Sequence, residues 1–244
     1  MTISALNKIK LKNVEQFNTA KEYMETSELH TKTVPKIVQC SAAISSDISR
    51  KCSIEFVNSF SEDAVINSTS NRKAVLIFAS GTRHGGGVIN GAIAQEEAIS
   101  RTSSWTNVQV PESYLNFRGP TYGHQFLIAD GFFFYDSSFN ELVSPVKCKF
   151  ISCAAINFNM NIEVNNSVKN MVIERMVGML NECSVFHIDE FIIGAWGCGV
   201  FGGQIEFYAQ CWTEAIDKST FSKKIIVSIP DLNSINIFKA VIGI

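Results

Sequence analysis

The seven cysteines, at positions 40, 52, 148, 153, 183, 198 and 211, are odd in number and include no CxxC pair. That scatter excludes a disulfide ladder and a zinc site, and it favours a reducing compartment, cytosol or nucleus. No apolar run is long enough to span a bilayer, and the first 24 residues, which alternate charged and amide side chains with single apolar ones, hold no signal core. A soluble intracellular protein without a membrane partner is expected. Net charge is only −2, so the field of the whole molecule gathers neither nucleic acid nor membrane. Internal repeats and low-complexity tracts are lacking as well. What is present is a 244-residue chain, 46% hydrophobic and 18% charged, which can bury a full core without disulfides or metal.

Periodicity supplies an alternation of elements. Apolar residues at Leu6, Ile9, Val14, Phe17 and Tyr23 predict a surface helix. Lys36 to Gln39 and Ser53 to Val57 read as short strands, and Ser61-Glu62-Asp63-Ala64 as a helix start capped by Ser61. Ala74 to Ala79 is a continuous apolar run, as a strand covered on both faces requires, and it enters a glycine loop over Gly81 to Gly87 that a helix from Ala92 to Ser103 follows. Thr106 to Asp130 reads as a long ordered loop with small helical pieces. Strands are expected at Gly131 to Tyr135, Phe150 to Ala155, Phe191 to Ile193 and Lys223 to Ile229, with helices over Val168 to Leu180 and Glu206 to Ile216. Strands alternating with helices give an α/β sandwich, and in such sheets ligands gather where loops leave the carboxyl ends of strands.

Two of those loops are glycine-rich. Gly85-Gly86-Gly87 can take positive φ and bring main-chain N–H groups to a ligand with no Cβ in the way. The second loop, Gly194-Ala195-Trp196-Gly197-Cys198-Gly199-Val200-Phe201-Gly202-Gly203, repeats the logic ahead of a helix N-terminus, and a diphosphate is the natural guest. One such cluster alone is more often a tight turn; two after buried strands point to binding. Between them in function stands Gln95-Glu96-Glu97. Acids also favour a helix N-terminus electrostatically, which is the plain alternative. As glycosidase carboxylates, however, helix neighbours diverge by about 100° and share one side of the sugar, so Glu96 and Glu97 do not form the usual acid and nucleophile pair. One acid and one ribose-gripping carboxylate fit better: Glu97 starts protonated and protonates the departing oxygen, the diphosphate stabilises an oxocarbenium-like ribose, and water completes hydrolysis with Glu97 as base. No metal or cofactor is required.

Three glycines, seven residues, then Gln-Glu-Glu resembles the signature of the poly(ADP-ribose) glycohydrolases. Leu76-Ile77-Phe78-Ala79-Ser80 ahead of the glycines and Gly194 to Phe201 resemble the microbial-type branch of that family. The resemblance runs over nearly the whole chain, strongest from Ala74 to Ser103 and from Ile188 to Ile216. It implies a macrodomain-like three-layer α/β/α sandwich with a mixed sheet, one domain over residues 1–244 whose first 35 residues form an N-terminal helical extension, and hydrolysis of ribose-ribose bonds in poly(ADP-ribose). Residue by residue it implies Glu97 as the catalytic acid, Glu96 as a ribose-binding carboxylate, and Gly85, Gly86, Gly87 and Gln95 beside the ligand. It likewise implies Gly197, Cys198, Gly199 and Val200 as phosphate neighbours and Phe201 against the ribose. Cys198 is read as a small residue filling a tight loop rather than a reactive thiol. The sequence departs from the pattern at Ile77, where the family places Asn or Asp, at His84, where it has proline, and at Gly202-Gly203, where a polar residue follows the Phe. His84 reads as an exposed loop histidine, and the aromatic that covers the sugar is left open among Tyr114, Phe117 and Tyr122.

An active hydrolase of poly(ADP-ribose) is therefore expected, as a monomer. The alternatives are a hydrolase of ADP-ribose on a protein or nucleic-acid base, and a reader that binds ADP-ribose without turnover, against which both glutamates argue. A structural protein leaves two glycine loops unexplained.

Overall fold

Alternate residues of the apolar run at positions 73–78 must each find cover on opposite sides, and the fold provides it. In a computed structural model, which describes residues 3–27, 32–40, 52–115, 121 and 123–243, β3 (Lys73–Phe78) lies at the centre of a seven-stranded sheet. Ala74 and Leu76 join a core with the helices α5 (Asn166–Val185), α6 (Ile205–Lys218) and α7 (Leu232–Ile242). Val75 and Ile77 join a second core with α2 (Ser61–Asn67) and α3 (Gln95–Thr102). Helices on both faces of one mixed sheet make the expected three layers.

The strand order is β1-β4-β5-β3-β6-β7-β2. From β5 (Glu141–Cys153) through β3, β6 (Glu190–Ile193) and β7 (Lys224–Ser228) to β2 (Ser53–Val57) neighbours are parallel. β4 (Gln125–Tyr135) runs antiparallel to β5, and β1 (Lys36–Gln39) antiparallel to β4. The carboxyl ends of β3, β6 and β7 therefore open on one edge, where both glycine loops leave the sheet.

The structure corrects several boundaries. The strands expected at Gly131 to Tyr135 and Phe150 to Ala155 are parts of a long hairpin, β4 and β5, and β4 takes residues 125–130 from the expected loop. The short apolar run Phe126-Leu127-Ile128-Ala129 has no alternation to mark it as a strand, and its partner lies next in sequence. The helix expected from Ala92 starts at Gln95, because a 3₁₀ turn over Val88–Asn90 ends on Gly91 in the left-handed region. Ser61 is the first residue of α2 and not its cap; the cap position is Phe60, which offers no side-chain acceptor. Helix α7 went unanticipated, and a four-residue helix, α4 (Glu112–Leu115), occupies the loop after α3.

The N-terminal helix α1 (Ile3–Thr26) buries Asn13, Phe17, Ala20 and Met24, while Leu6 is exposed. Its carboxyl half packs on the hairpin, with Tyr23 stacked on Phe134 at a centroid distance of 4.8 Å. Its middle lies against α3 and the 3₁₀ turn before it.

Gly131 in β4 is required by Phe150, which packs edge-on against Trp105 and Phe133. A Cβ at Gly131 would lie 1.9 Å from Phe150 Cε2. Gly131→Ala is expected to cost about 1–3 kcal/mol by overpacking, and to cost clearly less in a Phe150→Leu background. Urea unfolding midpoints of the four chains measure both; equal costs in the two backgrounds would refute the contact.

Candidate active site

Three consecutive polar side chains open α3, and their 100° steps send each in its own direction. Gln95 reaches the end of β3: its Oε1 accepts from Phe78 N–H at 2.9 Å, and its Nε2 donates to Leu76 O at 2.8 Å and to Ser61 Oγ at 3.2 Å. Glu96 spans the loop that follows β3. Its carboxyl accepts from Ser80 N–H at 2.6 Å, Gly85 N–H at 3.0 Å and Trp105 Nε1–H at 3.2 Å. Glu97 Oε1 accepts from Gly87 N–H at 2.7 Å, while Oε2 is buried with no hydrogen-bond partner among the described residues.

Glycine is indispensable at position 86. Its φ is +59°, and a Cβ there would sit 2.3 Å from Glu97 Oε1. Only a residue without a side chain lets the main chain close over this carboxyl. Burial pushes Glu96 up to about 8, helped by the neighbouring Glu97, while its three N–H donors pull it back. Glu96 is thus committed to the two ends of the Ser80–Gly85 loop. This carboxyl, 3% exposed, braces the loop.

His84 also departs from expectation. It is half-buried, not an exposed loop residue, and its ring meets Trp105 edge-on at 4.5 Å. Both ring nitrogens are buried, and burial lowers the histidine to about 4, against a smaller upward pull from the Trp105 backbone. Ile77, where the sequence departs from the family pattern, packs in the core beneath α3 and not among the residues that line the cleft.

The second loop follows β6. Trp196 anchors it by donating Nε1–H to Cys153 O at 2.8 Å. Gly197, at φ +82°, lets it turn over the Tyr208 ring, which a Cβ would meet at 2.3 Å. The amide N–H groups of Gly197, Gly199 and Val200 have no partner among the described residues. Asn159 Nδ2 donates to Val200 O at 2.7 Å, and a Cβ on Gly202 would lie 2.5 Å from Asn159 Oδ1. A side chain at position 202 would thus collide with Asn159. Cys198 is pushed up to about 12, chiefly by burial, so it stays a thiol at neutral pH.

A cleft of about 830 Å³ lies at the carboxyl ends of β3, β6 and β7, a volume suited to a small-molecule ligand. Gln95 and Gly197, Cys198, Gly199, Val200 and Phe201 line it, as expected of ligand contacts. Gly85, Gly86, Gly87, Glu96 and Glu97 are not among its lining residues, whereas Ala94, Gln95 and Ala98 of the same helical turn are. Sequence reasoning missed Glu62 and Arg101, two buried residues of the wall. Burial raises Glu62 to about 7 and lowers Arg101, which in turn attracts Glu62 and Glu97. In the sequence Glu62 is indistinguishable from an acid that merely favours a helix start. Of the candidate aromatics, Tyr114 is core, its hydroxyl donating to Ser152 O at 2.9 Å, and Phe117 and Tyr122 lie outside the described residues.

The sequence matches the family model of the microbial-type PARG (poly(ADP-ribose) glycohydrolase) catalytic domain over residues 2–124. The chain belongs to that family. The matched half holds α1, the triple glycine and Gln95-Glu96-Glu97, and a catalytic-domain family places the chain among enzymes. No curated protein matches the sequence. Among solved structures the chain resembles the poly(ADP-ribose) glycohydrolase of Thermomonospora curvata bound to the inhibitor ADP-HPD, at 18% identity over 97% of each chain and a TM-score of 0.74. It also resembles the Deinococcus radiodurans enzyme in complex with ADP-ribose, at 20% identity over 85% of this chain and 93% of that one, with a TM-score of 0.73. These likenesses show that the PARG fold extends through the second loop, beyond the matched half.

The buried titratable groups act on stability in opposite senses. With His84 at about 4 in the fold and near 6.5 unfolded, the unfolded chain takes up a proton that the native one refuses, so stability falls as pH drops from 6.5 toward 4. Glu96, at about 8 in the fold and near 4.5 unfolded, holds a proton that the unfolded chain releases, so its contribution is lost as pH rises through 4.5 to 8. Glu62 acts in the same direction as Glu96. His84→Leu is expected to flatten the acid limb, losing less unfolding free energy between pH 6.5 and 4 than the parent chain. Parallel limbs in urea titrations at stepped pH would exclude a buried neutral histidine.

Proposed function

We propose that this PARG-family domain hydrolyses the ribose-ribose bonds of poly(ADP-ribose), with Glu97 as general acid and then base. The observation that carries the reading is the unpartnered Glu97 Oε2. A buried carboxyl oxygen without a donor is costly, and native structures keep one where chemistry uses it. Its sister oxygen is pinned by Gly87 N–H, so the group is oriented but not saturated. The reading requires Oε2 to reach the glycosidic oxygen of a polymer held in the cleft, which Gln95, two residues before Glu97, lines. The positive φ of Gly85 and Gly86 lets the main chain pass close to the carboxyl with no Cβ in the way.

With the diphosphate on the free amides of the Gly197–Val200 loop and the ribose toward Phe201, Glu97 gives its proton to the departing ribose oxygen as the anomeric C–O bond breaks. Positive charge spreads over the ring, and the diphosphate lies close enough to stabilise it. A water then adds its oxygen to the anomeric carbon and returns its proton to Glu97, restoring the acid. Glu96 contributes by holding Ser80 and Gly85, and Gln95 by fixing the helix start to β3. We assign this work to one domain over residues 1–244 with the first 35 as an extension, acting as a monomer in the cytoplasm or nucleus. ADP-ribose on a protein or on a nucleic acid is the alternative carrier: exposed Ile93 and Val200 at the mouth of the cleft add no charge that would select a polyanionic chain.

Purified protein is expected to release ADP-ribose from poly(ADP-ribose), and Glu97→Gln to lower turnover about 10²–10⁴-fold while ADP-ribose affinity, measured by calorimetry, stays within a few-fold. Equal turnover by both chains would remove Glu97 from the mechanism. ADP-ribose binding without turnover on polymer, mono-modified protein or modified DNA would leave a reader.

A further inference from the structure

The first turn of α3 and the glycine loop are joined by Gly91 and Ala92, and both carbonyls of that junction are held by distant side chains. Arg101 Nη1 donates to Ala92 O at 2.8 Å from the far end of α3. Asn13 Nδ2 donates to Gly91 O at 3.0 Å from α1, 78 residues away. Asn13 is a buried amide in a helix that is otherwise largely exposed on that stretch, a position that burial alone would give to an apolar side chain. The approach of the two segments is main chain on main chain: Gly91 has φ +71°, and a Cβ there would lie 2.3 Å from Lys10 O and 2.7 Å from Lys10 Cα. Backbone of this kind cannot step aside as a flexible side chain can.

From this junction a short hydrogen-bond path leads to the acid. Gly87 O accepts from Ala92 N–H at 3.3 Å and from Asn90 N–H at 2.9 Å, which fixes the peptide unit that follows the Gly87 Cα. Gly87 N–H in turn reaches Glu97 Oε1 at 2.7 Å. We propose that Asn13 is a positioning residue: the N-terminal helix, through Asn13 and the closely packed Gly91, sets the register of the Gly85–Ala92 loop and thereby the orientation of the Glu97 carboxyl. The inference deepens the hydrolase reading and rests on it for its kinetic consequence alone. Asn13 touches neither the cleft nor Glu97, so its loss acts on the geometry of the reacting group and leaves the ligand-lining second loop as it is. Small misplacements of a reacting group are costly to rate, about a hundredfold for an ångström.

Asn13→Asp keeps the shape and removes the donor; Asn13→Ser is a second chain, smaller and still able to donate, should the first fail to fold. In the full-length protein Asn13→Asp is expected to lower kcat on poly(ADP-ribose) at least about tenfold with KM within twofold, and Asn13→Ser to recover part of the loss. The readout that a merely structural role would leave unmoved is the Gly87 amide proton in ¹⁵N-resolved NMR. It is expected to shift in Asn13→Asp toward its position in Glu97→Gln, because both changes weaken its bond to a carboxylate. A Gly87 resonance unmoved in both Asn13 chains overturns the proposal, whatever the activity. If the parent chain releases no ADP-ribose, the hydrolase reading fails, and the Gly87 resonance still decides the positioning role.

Discussion

The Glu96 carboxyl, shared among Ser80, Gly85 and Trp105, is the constraint around which the site is built. A loop that leaves a buried strand brings main-chain donors that the sheet no longer satisfies, and each would lose about 1–3 kcal/mol if buried unpaired. Here one side chain from the next helix supplies the acceptor for both ends of the loop. The indole of Trp105 fills in behind it, so the carboxyl is enclosed by an edge-on aromatic cluster with His84 and Phe150. Remove Glu96 and two amides, an indole N–H and the start of α3 lose their common partner. The raised proton affinity of Glu96 is the cost of that burial.

From the same helical turn comes an account of why the motif needs three polar residues in succession. A helix advances 100° per residue, so Gln95, Glu96 and Glu97 face the strand end, the loop ends and the glycines in turn. Gln95 is the only one whose side chain both donates and accepts, and its position demands both: Phe78 offers an N–H and Leu76 a C=O. A glutamate there would meet Leu76 O with a lone pair. The two carboxyl groups stand where N–H groups converge. Side-chain chemistry at each step is dictated by what the backbone presents.

Much of this was legible in sequence. The continuous apolar run of β3, the glycines after it and the spacing to the acids fix a strand, loop and helix in order, and the second loop announces itself after β6 in the same way. The fold class and the cleft at the strand ends follow from that alternation. What stayed hidden depends on contacts between residues far apart in sequence. Nothing local separates Glu62 from a helix-start acid, or His84 from a loop histidine, until Trp105 and the cleft wall are in place. The β4–β5 hairpin was obscured because its half-exposed strand carries charged and aromatic residues without clean alternation. The loop bonds of Glu96 stayed hidden for a related reason: the amides of Ser80 and Gly85 that it accepts from lie 16 and 11 residues away in sequence.

The remaining question is why a stable fold tolerates so much unsatisfied polarity around one loop. His84 with both ring nitrogens buried, Thr106 with a buried, unpartnered hydroxyl and Glu97 with one free oxygen all surround Gly85 to Gly87. Each lowers stability, yet the two cores that flank the sheet are packed with apolar side chains on both faces of β3. Within the loop Gly86 N–H donates to Arg83 O and Val88 N–H to Gly85 O, so its main chain is tied internally, while the side chains around it keep polar atoms without partners among the described residues. A ligand that supplied the missing partners would direct its binding energy first to these residues.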